Sequence, residues 1–154
     1  MWNPIMKKIL SIILAVICLT NFNIVSVSAE LSNELYVSDF IAENTELEYL
    51  ARCVQAEAGN QDWMGKAYVC DVILNRMDYY KYSSYEECIR QIGQFECVSN
   101  GMINRVVPTE DTYLIIANEL KGRSDYDIMY FRTNHYHSFG TPKFQHGDHY
   151  FSMR

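Results

Sequence analysis

Residues 45–77 read T-E-L-E-Y-L-A-R-C-V-Q-A-E-A-G-N-Q-D-W-M-G-K-A-Y-V-C-D-V-I-L-N-R-M. This stretch holds two helical patterns separated by a Gly-Asn break. In the first, Leu47, Leu50, Val54 and Glu57/Ala58 recur at helical spacing. Thr45 is placed to cap it, with Glu48 three residues on to complete a capping box. Gly59-Asn60 is expected to stop the helix, because both residues tolerate the left-handed conformation. The second helix is expected over 63–77, with Asp62 as its cap. Its interior, from Ala67 to Leu74, is apolar on most faces, the pattern of a helix buried mid-domain. Asn75-Arg76 is expected to end it.

Outward from this pair the patterns are weaker. Residues 78–85 are tyrosine-rich. Ser84 with Glu87 predicts a second capping box and a short helix to about Ile92. Residues 93–106 read as loop. Thr109 is placed to cap a last long helix, with Tyr113, Ile116, Ala117 and Leu120 on one face and Gly122 as its stop. Residues 127–132 predict a strand and 133–142 a loop or hairpin. Residues 144–152 predict a partner strand interrupted at Gly147. Helices first and a small sheet last predict an α+β domain, and 154 residues favour a single one.

The first residues are set apart from that domain. Lys7 and Lys8 precede an apolar run over 9–19, and Val27-Ser28-Ala29 offers small side chains at signal-peptidase positions. A signal peptide over 1–29, cleaved after Ala29, is the expectation. The run is shorter than the roughly 20 residues that span a bilayer, so no stable membrane insertion is expected after cleavage. Bulky Val16 and Ile17 argue against a lipid anchor on Cys18. Residues 30–45 read as a lead-in segment and 46–154 as the folded domain.

Losing residues 1–29 removes two of the 13 Lys+Arg and none of the 19 Asp+Glu, leaving 11 against 19, a formal −8. That balance argues against nucleic acid, which needs a basic surface. It also leaves no basic patch for anionic lipid. Four cysteines follow the leader, Cys53, Cys70, Cys88 and Cys97, spaced by 17, 18 and 9. No C-x-x-C pair gives zinc spacing. Export permits disulfides, and two, one or none remain open by spacing.

Glu57 carries the most chemical information. It lies beside the apolar stripe, in the last turn before a break, so its carboxylate should be half desolvated and face whatever cleft the turn lines. Desolvation favours the protonated form, which a general acid needs near neutral pH. A helix-end glutamate in solvent or in an ion pair is the bland alternative. Ordinary glycoside hydrolysis uses a second carboxyl. Asp62, Asp71, Glu86, Glu87, Glu96 and Asp148 are available, none singled out by spacing. Asp71 lies in the apolar helix, and Glu96 follows Gln94-Phe95 in a loop.

His135, His137, His146 and His149 fall late, in H-x-H and H-x-x-H spacings that make a zinc amidase or peptidase conceivable. No helical H-E-x-x-H accompanies them. Cys97, with a late histidine as base, is a candidate nucleophile. Twelve tyrosines could stack on sugar rings or simply pack under a sheet. A non-catalytic sugar-binding module, using those aromatics, is the third alternative. No phosphate loop and no G-x-S-x-G elbow is present.

The run Leu50-Ala51-Arg52-Cys53-Val54-Gln55-Ala56-Glu57-Ala58-Gly59-Asn60-Gln61, followed by Gly65, Val69 and Val72-Ile73-Leu74-Asn75-Arg76, resembles the SleB/CwlJ-type cell wall hydrolases. Gln94-Phe95, the helix after Pro108, Tyr130-Phe131 and Gly147-Asp148-His149-Tyr150-Phe151 extend the resemblance over about 46–152. It implies a lysozyme-like domain that cuts peptidoglycan glycan strands in the bacterial cell wall or spore envelope, with Glu57 as acid/base and neither metal nor other cofactor. It implies a lytic transglycosylase, which needs one carboxyl. Some members carry an amidase label. Substrate contacts are implied at Gln61, Asn75, Gln94, Phe95, Tyr130 and His149. The family often has a second glutamate where this chain has Gln61, which can hydrogen-bond but cannot titrate. Protein partners are not indicated.

Overall fold

The computed structural model describes Ser32, Asn44 and residues 46–154. The expected leader over 1–29, most of the lead-in and the capping residue Thr45 lie outside the described residues. The elements that follow all belong to the compact unit Phe40–Arg154.

From Leu47 onward, six elements precede the sheet. They are α1 (Leu47–Ala58), α2 (Trp63–Tyr80), α3 (Tyr85–Ile89), α4 (Glu96–Ser99), a 3-10 turn (Met102–Asn104) and α5 (Glu110–Lys121). Strands β1 (Ile128–Thr133), β2 (Thr141–His146) and β3 (His149–Met153) follow. This is the expected α+β order, mostly helical first and a small sheet last.

Helix α2 is the centre of the domain. It packs on α1, α3, α5 and β1, and its residues from Gly65 to Arg76 are buried except for half-buried Tyr68. That explains why its apolar pattern has no polar face. The core joins Leu50 and Val54 of α1, Val69 and Ile73 of α2, Ile116 of α5, Ile128 of β1 and Phe151 of β3. Each such side chain contributes about 1.5–3 kcal/mol by leaving water.

The sheet runs β1-β3-β2, all antiparallel. Phe151 faces Phe131 on one side and Phe144 on the other. Its ring lies 5.4 Å from Tyr68 of α2, which seats the sheet on the central helix. The expected single partner strand is two strands, joined at Gly147-Asp148 and closed by the His146–His149 pair. Gly147 sits at φ +52, which is why the pattern breaks there.

Several local expectations are corrected. Asp62 does cap α2, its side chain accepting from the Gly65 N–H at 2.8 Å. The helix, however, runs past Asn75-Arg76 to Tyr80 and ends on Lys81 at φ 59. Gly59 is right-handed, at φ −60, so the first helix does not stop through a left-handed glycine. A side chain at Gly59 would instead collide with the Gln55 carbonyl. Glu48 holds Arg52 at 2.7 Å and the Tyr113 hydroxyl; its expected capping partner, Thr45, lies outside the described residues. Ser84 accepts from the Glu87 N–H as expected, but the Glu87 carboxylate returns to Ser83 rather than Ser84.

The loop expected over 93–106 contains α4 and the 3-10 turn. Thr109 stands at the start of α5 but makes no side-chain cap. Its N–H and hydroxyl, with the Thr112 hydroxyl, go to Oε1 of Gln55 on α1. The inner face of α5 is Thr112, Ile115, Ile116, Ala117 and Glu119, while Leu120 stays exposed.

Candidate active site

The last turn of α1 delivers half-buried Glu57 to a cleft of about 530 Å³. Gln94, Phe95 and Glu96 form one wall, and Arg132, His137 and His149 line it from the sheet side. Oε1 of Glu57 accepts the backbone N–H of Cys97 at 2.7 Å. Its other oxygen makes no hydrogen bond among the described residues. The two oxygens are therefore unlike. One is tethered by a charge-assisted bond that fixes the carboxyl plane, and the other is left to exchange a proton with whatever enters the cleft.

His149 is 3 % exposed, and burial holds its imidazole below the ordinary histidine range, with Asp148 opposing and His146 reinforcing that shift. It is thus neutral at neutral pH. Its Nδ1 is buried without a partner, and its ring meets Phe131 at 5.0 Å. A buried ring nitrogen without a bond is costly, so a polar substrate group that reaches it would be held. A smaller cavity of about 50 Å³ opens from the same wall, sharing Gln94, Phe95, Phe131 and His137 with the cleft. Arg76, Tyr130 and Phe139 line its far side. The Phe139 ring stacks on His137 at 4.6 Å and meets Tyr130 at 5.1 Å.

Of the expected contact residues, Gln94, Phe95 and His149 share the cleft with Glu57, and Tyr130 lines the adjoining cavity. Phe95 is 3 % exposed and packs beside Phe131, so only its edge is available. Gln61 and Asn75 are elsewhere. Gln61 is spent on the β2–β3 turn, accepting the Asp148 N–H at 3.2 Å and donating to the Asp148 carboxylate at 3.1 Å. Asn75 is 4 % exposed; its amide donates to the carbonyls of Asp125 and Ile128 and accepts from Arg123. It ties α2 to the entry of β1 and is corrected from a sugar contact to a structural residue.

The remaining candidates separate as clearly. Glu96 lines the cleft, exposed, its carboxylate without a hydrogen bond among the described residues. Asp62 caps α2 and meets His146 at 2.8 Å. Glu86 pairs with Arg90, and Glu87 bonds Ser83. Asp71 is fully buried. Cys97 contributes its N–H, while its thiol is 2 % exposed and lies 3.8 Å from the Cys53 thiol. All four cysteines are free thiols. His137 lies 3.1 Å from the Phe131 carbonyl. Among the described residues no three His, Cys, Asp or Glu side chains group to hold a metal ion.

The Gln61 bonds make the turn a sensitive point. A side chain at Gly147 would strike Oε1 of Gln61, at a positive φ that L residues resist. Gly147→Ala is expected to cost about 1–3 kcal/mol in urea unfolding. It is also expected to weaken activity through the adjacent His149. Unchanged unfolding would show that the turn yields freely.

A family model for cell wall hydrolases matches residues 60–152. The chain belongs to the cell wall hydrolase family. No curated protein matches this hydrolase. Its structure is similar to the catalytic domain of the Bacillus cereus SleB protein, with TM-score 0.60 and 19 % identity over 70 % of this chain and 88 % of that one. It is similar also to the catalytic domain of the germination-specific lytic transglycosylase SleB from Bacillus anthracis, with TM-score 0.59 and 19 % identity over 70 % and 93 %. At that identity the likeness shows the shared fold, the lysozyme-like α+β architecture expected for SleB/CwlJ-type hydrolases. Glu57 stands three residues ahead of the matched span, so its role rests on the cleft geometry.

Two features of the site escaped the sequence. The Cys97 N–H partner is a backbone group 40 positions from Glu57, and no side-chain pattern announces it. Arg76 had a signal: it continues the Val69–Val72 stripe of a helix with no exposed face, where a cation has no ordinary place.

Proposed function

We propose that this hydrolase cleaves the peptidoglycan glycan strand at N-acetylmuramic acid as a lytic transglycosylase, with Glu57 as its single acid/base. The observation that carries the reading is the Glu57 carboxyl itself. It is half-buried in a sugar-sized cleft, held through one oxygen by the Cys97 N–H and free at the other. A protonated Glu57 donates to the glycosidic oxygen as the bond to the muramyl C1 breaks. The same carboxylate then takes the proton of the muramyl 6-hydroxyl as that oxygen closes on C1. Atoms balance without water, the product is a 1,6-anhydro sugar, and Glu57 ends protonated for the next turn. Gln94, His149 and the Tyr130 side of the cleft are proposed to contact the glycan. Residues 46–154 are the proposed catalytic domain, exported behind a leader over 1–29 to the cell wall or spore envelope.

Glu96 favours a second reading. A carboxylate lining the same cleft could activate water, giving a muramidase. Against it, Glu96 is exposed and nothing among the described residues fixes its carboxylate, whereas a general base needs a held position. Mass spectrometry of the soluble products from purified peptidoglycan, with and without chelator, tests both. Anhydro-muropeptides support the proposal, and reducing-end products that vanish in Glu96→Gln support hydrolysis. Free stem peptides with intact glycan would overturn both and bring the late histidines forward as an amidase site.

A further inference from the structure

Arg76 is 5 % exposed, and its Nε is buried with no hydrogen-bond partner. It makes no ion pair among the described residues. The other sheltered arginines are neutralised: Arg52 by Glu48 and Arg123 by Asp78, each at 2.7 Å. Around Arg76 the neighbours are neutral. The Tyr80 and Phe95 rings lie 6.0 and 5.8 Å from its guanidinium carbon, near the limit of useful cation–π attraction. The Cys88 thiol is close, and burial pushes it up to about 11 against the pull of Arg76, so it carries no charge at neutral pH. A buried cation without a counter-charge is strongly disfavoured, yet this one lines the 50 Å³ cavity that opens into the catalytic cleft. The cavity has room for a group the size of a carboxylate, not a sugar ring. A guanidinium presents a planar fork that matches a carboxylate.

We infer that Arg76, in the cavity beside the cleft, binds a carboxylate on the lactyl-peptide arm of the muramyl residue. The inference rests on the glycan reading above and adds a determinant of which sugar is seated there. N-Acetylglucosamine lacks the arm, so Arg76 sets the register of cleavage along an alternating strand. The carboxylate is either that of the lactyl group on peptide-free glycan or one on the stem peptide.

Binding measured by NMR titration on the Glu57→Gln protein, which removes turnover, tests this apart from the chemistry. The probes are N-acetylglucosamine, N-acetylmuramic acid and an N-acetylmuramoyl dipeptide with a free terminal carboxylate. One muramyl probe is expected to bind on the order of tenfold to a hundredfold tighter than N-acetylglucosamine. Which of the two does so identifies the source of the carboxylate. Arg76→Met in the same background is expected to erase the preference with the Tm unchanged or raised, since it removes an unpaired buried charge. Arg76→Lys should restore part of the preference. The inference is overturned if no probe is preferred, if Arg76→Met keeps the preference, or if Arg76→Met lowers the Tm by several degrees with the preference intact. That last outcome would mark Arg76 as a packing residue held by the two rings. Cleavage that survives Glu57→Gln would overturn the acid/base reading and leave these binding results to stand on their own.

Discussion

Glu57→Gln is expected to slow glycan cleavage by roughly a thousandfold or more while leaving the Tm within a few degrees of the parent protein. Glutamine matches glutamate in volume, and its Oε1 still accepts the Cys97 N–H that holds the side chain at 2.7 Å. The helix end and the α4 segment should therefore stay in place. What is lost is the transferable proton, and with it both halves of the reaction. Initial rates of turbidity loss with purified peptidoglycan, beside a thermal melt, measure the two effects on one preparation. A variant that keeps more than a tenth of the parent rate would remove Glu57 from the chemistry. A variant that loses activity together with its melting transition would call for Glu57→Asp instead. That substitution retains a proton on a shorter arm and should recover part of the rate.

The second large effect concerns pH and stability. Asp71 lies inside α2 with no exposure, one oxygen without a partner. Burial, then the neighbouring Glu119, push its carboxyl from the ordinary 3.8 to about 8, while the Asp125 N–H and Arg123 pull it down. The folded protein thus keeps a proton that the unfolded chain releases between about pH 4 and pH 8. The resulting stabilisation is complete below pH 4, is lost as pH rises through that window, and changes no further above about 8. Each unit corresponds to about 1.4 kcal/mol. For this one carboxyl, about 2–4 kcal/mol is expected to be lost between pH 5 and pH 8. Asp71→Asn keeps an oxygen for the Asp125 N–H, bonded at 2.8 Å, and removes the titration. Urea midpoints across that range should fall with rising pH for the parent protein and vary by less than about 1 kcal/mol for Asp71→Asn. Parallel slopes would place the titration elsewhere.

How much of this was legible in the sequence follows from the range of each interaction. The two long helices, the Asp62 cap and the helix-end position of Glu57 are local facts, set by spacing over a few residues. Helix α2 overran its expected end because Asn75 and Arg76 are buried within it rather than acting as breakers; Asn75 spends its amide on the carbonyls of Asp125 and Ile128. The same distance explains why the internal bonds of Asn75 and Gln61 are not legible in the sequence. Their partners, some 50 and 87 positions away, cannot be read from neighbours. The inner face of α5 shifted because Gln55 of α1 takes Thr109 and Thr112, turning the threonine edge inward. The resemblance named Gln94, Phe95 and His149 in order, and the fold places all three in the cleft that Glu57 lines; their contact with glycan is a proposal.

Digestion of purified peptidoglycan in water enriched in heavy oxygen tests the central claim most directly. Ring closure by the muramyl 6-hydroxyl consumes no water, so the released muropeptides should be anhydro forms carrying no label. Label at a muramyl reducing end would contradict the transglycosylase mechanism and assign a water-activating role to a group such as Glu96. Label on the lactyl carboxyl, with glycan strands intact, would contradict glycan cleavage altogether.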